Sequence, residues 1–208
     1  MTNAGRFITF EGPDGSGKST QLARLAARLR AEGREVVETA EPGGTRIGRD
    51  IRAILLSARN HHLLPTAELL LYFASRAQNV EEVIRPALER GAIVLSDRFT
   101  DSTLVYQGVG RGLGPEVVRQ LHRIACGTLM PHLTVLIDIE PALTLERTIK
   151  RAEQDRLDAE SLDFHARVRQ GYLRLAAEEP ARVRVLDGAR DRDSVTEAVW
   201  PLVQEALR

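Results

Sequence analysis

The chain has 208 residues, a length that one hydrophobic core can fill, and its 29 Lys and Arg are balanced by 29 Asp and Glu. That balance excludes a general basic field for nucleic acid or an anionic membrane, so any basic site must be local. A single cysteine, Cys126, excludes an intramolecular disulfide and a Cys-based zinc framework and fits a reducing cytoplasm.

The N-terminal residues lack a signal-peptide pattern, and no apolar run approaches membrane-spanning length. The first predicted element is the strand RFITFE. It leads into GPDGSGKST and then a helical pattern with Leu22, Leu25, Ala26 and Leu29 on one face. Gly12, Gly17, Lys18 and Ser19 fit G-x-x-x-x-G-K-[ST] between a strand and a helix, the context that a phosphate loop needs. Its glycines let the backbone curl so that amides and the helix N-terminus point at an anion. Gly12, Pro13, Asp14, Gly15, Ser16, Gly17, Lys18, Ser19 and Thr20 are therefore the expected purine triphosphate site. Lys18 would reach the β- and γ-phosphates, and Ser19 would ligate Mg²⁺. Asp14 poses a question, because a carboxylate beside bound phosphate repels it and must answer to another partner.

EVVETA is the second predicted strand. His61 and His62, ahead of Pro65, lack a ligand constellation and read as a solvated turn. AELLLYFASRAQNVEEVIRPAL reads as one long helix with Leu69, Phe73 and Ala77 on one stripe. Tyr72 and Arg76 lie four residues apart on another stripe, so both can face one pocket. An aromatic face beside a cation suits a base, although an aromatic at this spacing is as often core. The third strand, AIVLSD, ends on Asp97 and Arg98, where open α/β sheets bind ligands. Arg98 could grip an acceptor phosphate with its fork, and Asp97 could orient it or hold a metal-bound water.

Val117, Val118, Leu121 and Ile124 mark a further helix, and LTVLIDI and RVRVLD the last two strands. Between those strands KRAEQDRLDAES is charged and lacks an apolar stripe, as a lid or a solvated helix end would. Cys126 reads as a small buried residue, and Trp200, near Val199 and Val203, as packing. The alternation predicts an α/β fold, a five-stranded parallel sheet with helices on both faces. Without repeats or linkers, residues 1–208 read as one domain.

A phosphate loop alone leaves open a switch protein, a motor and a kinase. No N/T-K-x-D guanine motif is present, and a motor would need far more chain. EGPDGSGKST, EPGGTRIGRDIRAILL, ELLLYFASRAQNVEEVIRPAL, SDRFTDSTLVYQGVGRG and DRLDAESLDFHARVRQGYL together resemble the bacterial thymidylate kinases, in order and over nearly the whole chain. The resemblance implies the P-loop nucleoside monophosphate kinase fold and the reaction ATP + dTMP = ADP + dTDP, a step of dTDP biosynthesis. It also implies Mg²⁺ as cofactor, with Ser19 as ligand and Asp14 or Asp97 acting through water, and a cytoplasmic homodimer that needs neither nucleic acid nor membrane.

By position, the resemblance puts Arg98 on the dTMP phosphate with Arg52 nearby, and Tyr72 on the thymine ring. Arg76 and Thr103 read the thymine edge, Tyr106 crowds a ribose 2′-hydroxyl, and Glu41 and Pro42 line the acceptor pocket in a turn whose proline can be cis. Asp14 falls near the acceptor sugar and the metal's water shell. Tyr72 stands where phenylalanine is commoner, and Gly15 stands where one subtype carries an arginine. The missing charge would then come from a lid at about 148–160, from Arg151 and Arg156 with Arg147 in reserve. The alternatives are a kinase for another nucleotide, such as dUMP, and a nucleotide-gated binding module.

Overall fold

A computed structural model describes residues 5–144, 156, 157 and 159–208. All five predicted strands occur: β1 (Arg6–Glu11), β2 (Val36–Ala40), β3 (Ile93–Asp97), β4 (Leu133–Asp138) and β5 (Val183–Asp187). They form one parallel sheet in the order β2-β3-β1-β4-β5. The central strands β1, β3 and β4 are buried almost throughout, which is why they read as continuous apolar runs. The edge strands are less buried, and Glu38 of β2 and Val185 and Asp187 of β5 lie exposed.

Period-two alternation sends Ile8 and Phe10 to one face of the sheet and Phe7 to the other. On the first face α1 (Lys18–Ala31) presents the predicted Leu22, Leu25, Ala26 and Leu29. The C-terminal helix, Arg192–Ala206, adds Val195, Val199 and Val203 to the same core. Trp200 packs at its margin beneath the Arg28 guanidinium, 3.8 Å from the ring centre. The opposite face is covered by residues from the helices between β2 and β4, and Cys126 is buried there as expected. Further along that face, Val105 and Tyr106 join Phe164, Val168 and Tyr172 over Leu136.

Local signals set the helix starts. Thr45 accepts from the Gly48 amide and caps α2 (Arg46–Leu56), and Pro65 opens α3 (Pro65–Asn79). His61 and His62 lie exposed between these two helices, consistent with a solvated turn. The expected single long helix is not uniform: α3 passes into a π-helical turn at Val80–Ile84 before α4 (Arg85–Glu89). Pro86 supplies the reason, because it has no N–H for the preceding turn and its ring crowds a regular α-helix there. A second π-helical turn, Leu104–Gly110, follows α5 (Thr100–Thr103) and leads toward α6 (Pro115–Cys126). Ser161 then caps α7 (Leu162–Glu178), and Asp191 caps α8 (Arg192–Ala206) through the amides of Asp193 and Ser194.

His122 of α6 is buried, with Nδ1 2.8 Å from the Thr100 hydroxyl. Burial, followed by the Arg76 charge, lowers its pKa to about 4. The unfolded chain therefore binds the proton first, and this histidine's stabilising contribution is lost as pH falls from about 6.5 through 4. We expect the Tm advantage of wild type over His122→Gln to shrink by several degrees across that window in thermal melts, an approximate size. Parallel melting curves would contradict this reading.

Candidate active site

Parallel pairing sets the carboxyl ends of β1 and β3 side by side, with Phe10 opposite Asp97. The phosphate loop leaves β1 at Gly12, whose φ of 133° is foreign to L side chains. A Cβ there would lie 2.3 Å from the Ile137 carbonyl oxygen. Gly17, at φ 98°, turns the chain into α1. Lys18 is only 5% exposed; Nζ donates to the Pro13 carbonyl at 2.8 Å and lies 3.8 Å from the Asp14 carboxylate. Burial and then the charge of Arg98 lower its pKa, while Asp14 and Asp97 oppose that shift. The Ser19 hydroxyl donates to Asp97 Oδ2 at 2.5 Å, which joins two hard oxygen donors at the loop's exit.

Arg98 has φ 73°, in the left-handed region, a conformation that costs on the order of 1–3 kcal/mol for a non-glycine residue. Three bonds enclose this backbone. The Arg98 amide donates to Phe10 O, Ser96 Oγ donates to Arg98 O, and the Phe99 amide donates to Glu11 Oε1. The guanidinium extends to Asp14 Oδ1 at 2.9 Å, Ser102 Oγ at 3.0 Å and Tyr172 OH at 3.3 Å. It also lies 5.1 Å from the centre of the Tyr106 ring. Burial works against its charge, but Asp14 leads the groups that lift its pKa well above the usual arginine value. The acid inside the phosphate loop thus has a cationic partner across the cleft.

Tyr72 and Arg76 line a cleft beside this arginine, together with Pro42, Thr103 and Tyr106. Arg76 is 1% exposed and must be compensated. Its Nε donates to Glu41 Oε2 at 2.6 Å, and Nη2 donates to Thr103 Oγ1 at 2.8 Å. Asn79 supplies a further bond to Glu41, whereas Arg76 Nη1 is buried without a protein acceptor. Arg52 donates to Pro42 O at 2.9 Å, and the Glu41–Pro42 peptide is cis. Four cations, Lys18, Arg49, Arg52 and Arg98, line the adjoining cleft at the phosphate loop. That is the local basic site required in a chain of zero net charge.

A third cleft runs from Gly15–Gly17, Thr20 and Gln21 to the loop of residues 188–192. Gln21 fixes its far wall by donating to the Arg192 carbonyl and accepting from the Thr196 hydroxyl. The predicted nucleotide and acceptor residues therefore line these clefts, except Gly12, Pro13 and those of the lid. Arg147 and Arg151 lie outside the described residues. Arg156 joins neither phosphate-loop cleft: Nε donates to Leu55 O, and its guanidinium lies 2.5 Å from Glu68. Glu68 is fully buried on α3, where it also takes Gln107 and Arg111, and Arg111 reaches on to Glu160.

Reasoning from the sequence missed Arg49, Gln21, Tyr172, Ser102 and Glu11 at this site. For Glu11 a signal was present: an acid ending an apolar strand immediately before a glycine loop. Tyr172 gave none, since its neighbours come from β1 and α5.

The family model for thymidylate kinase matches residues 10–199. The thymidylate kinase of Deinococcus radiodurans is 53% identical over 201 residues, 97% of each chain, and that of Solidesulfovibrio magneticus is 52% identical over 97% of this chain and all of its own. The crystal structure of thymidylate kinase from Ehrlichia chaffeensis superposes with a TM-score of 0.79 at 33% identity, over 97% of this chain and 99% of that one.

Glu68→Ala would leave Arg156 and Arg111 without their buried anion, a loss of about 3–5 kcal/mol. For a chain of this size Tm should fall by about 10 °C in calorimetry. A change within a degree or two would show that the cluster does not anchor residues 156 and 160.

Proposed function

We propose a division of labour for this chain, which belongs to the thymidylate kinase family and phosphorylates dTMP to dTDP with ATP as donor. Phosphoryl transfer asks little covalent chemistry of a protein and depends on alignment and positive charge around the transferring group. The loop amides of residues 12–20 and Lys18 hold the ATP phosphates, and Arg98 with Arg52 takes the dTMP phosphate. A phosphate monoester is already anionic near neutral pH, so the transfer needs no strong general base.

The observation that carries the acceptor assignment is the buried, unpaired Nη1 of Arg76 in a cleft with an aromatic wall. A buried donor without an acceptor is costly, and a thymine carbonyl oxygen would supply one. Tyr72 stacks on the ring, Thr103 shares the reading of its edge, Glu41 and Pro42 line the turn, and Tyr106 excludes a 2′-hydroxyl. Asp14 serves the acceptor side through its bond to Arg98.

Ser19 and Asp97, with Asp14 nearby, fit a hard divalent ion through oxygen donors. Among the described residues no cluster of three metal-binding side chains occurs, which suits Mg²⁺ that keeps waters and substrate phosphates as ligands. Bound there, Mg²⁺ would neutralise charge on the donor phosphates.

We assign the remaining transition-state charge to the lid, with Arg151 as the transferring cation and Arg156 as its anchor to Glu68. The pairing of Arg156 supports the second role. Residues 1–208 form one catalytic unit in this reading, and the family match over 10–199 supports it. No helix among the described residues is long and apolar enough to cross a membrane. We place the chain in the cytoplasm, free of nucleic acid and membrane, where buried Cys126 stays reduced.

We also read it as a homodimer. Leu70 on α3 and Val117 and Ile124 on α6 support this, because they are exposed on two helices that pack together. Light scattering should give twice the 23.1 kDa chain mass; a monomer at micromolar concentration would overturn the assembly. Coupled ADP release should be fastest with dTMP among dTMP, dUMP, dCMP, dGMP and thymidine. In the same assay Arg151→Ala should lower kcat about 10²-fold with little change in either KM. Wild-type kcat in that variant would remove the lid assignment.

A further inference from the structure

Glu11 has no part in the division of labour above, yet it lies at the centre of the site. Its carboxylate is fully buried at the carboxyl end of β1. Oε1 accepts from the Phe99 amide at 2.7 Å, and Oε2 accepts from the Ser102 hydroxyl at 2.5 Å and the Tyr172 hydroxyl at 2.9 Å. Those two hydroxyl oxygens are also the ones to which Arg98 Nη1 donates.

We propose that Glu11 is a positioning residue for Arg98, fixing its strained backbone from one carboxylate oxygen and aiming its guanidinium from the other. The direction of the hydrogen bonds carries the argument. A guanidinium only donates, so Ser102 and Tyr172 must turn lone pairs toward Arg98 and send their protons elsewhere. An ionised carboxylate is an acceptor only, so Oε2 can take the proton of either hydroxyl, and the two hydroxyl oxygens also lie 2.8 Å from each other. A glutamine amide NH₂ in that position would oppose both hydroxyls, while its carbonyl could still accept from Phe99. Oε1 meanwhile holds the amide immediately after the left-handed Arg98.

Burial, with the Asp101 carboxylate next, pushes the Glu11 carboxyl up to about 7, and the Arg98 charge opposes that shift. The orienting bonds are complete with Glu11 ionised, a state that burial disfavours and the Arg98 charge favours.

The inference rests on the reading of Arg98 as the dTMP phosphate ligand, and the test separates the two. Titration calorimetry would compare dTMP with thymidine, which shares the base and sugar but lacks the phosphate. Arg98→Ala should weaken dTMP at least tenfold and leave thymidine within about twofold. Glu11→Gln should show the same selective loss, and Tyr172→Phe a smaller one in the same direction. Equal losses for both ligands, or none, in Arg98→Ala would overturn the phosphate reading. A selective loss in Arg98→Ala but not in Glu11→Gln would overturn the inference alone. Should Glu11→Gln fail to fold, the double variant Ser102→Ala, Tyr172→Phe removes the hydroxyl relay; unchanged dTMP affinity there would also overturn it.

Discussion

The parallel pairing of β1 with β3 is the constraint on which the site depends. Because Phe10 lies opposite Asp97, the phosphate loop and the Asp97–Arg98 turn emerge side by side. One residue of slip would move every side chain of the strand to the other face and separate Ser19 from Asp97. The pairing is protected because β1 also pairs with β4 and carries apolar residues toward both faces. A sheet interior thus sets the distance between two polar loops, and side-chain hydrogen bonds refine it.

Charge is buried here only with compensation. Glu41 with Arg76, Glu68 with Arg111 and Arg156, and Asp101 with Arg182 are ion pairs with at least one member withdrawn from water. Such pairs add little net stability over apolar packing, but removing one partner is severe because the other charge stays buried. Their benefit is geometric, since each has few alternative arrangements. Arg76 shows the result: two of its nitrogens are committed to the protein, and the third has its direction fixed.

Much of this was legible in the amino-acid order. The five strands and the phosphate loop follow from local pattern, apolar runs and glycine spacing, which depend on near neighbours. Tyr72 and Arg76 were paired correctly because helical periodicity carries across four residues. Glu11, Ser102 and Tyr172 come from three elements widely separated in sequence, so no local pattern joins them. The break in the long helix was also missed: apolar spacing continued through a proline whose effect was local backbone geometry. Arg156, grouped by its charged surroundings with a lid over phosphate, instead meets an acid on α3.

The π-helical turn at Leu104–Gly110 also limits what lengths this segment can take. It carries Tyr106 and Gln107, both buried and both facing the acceptor cleft, before the chain reaches Arg111. One residue in a helix corresponds to about 100° of rotation. A single deletion within this turn would restore ordinary helical spacing and swing Arg111 away from Glu68, whereas conservative changes of side chain would leave its direction intact. The segment should therefore vary in composition across sequences more readily than in length.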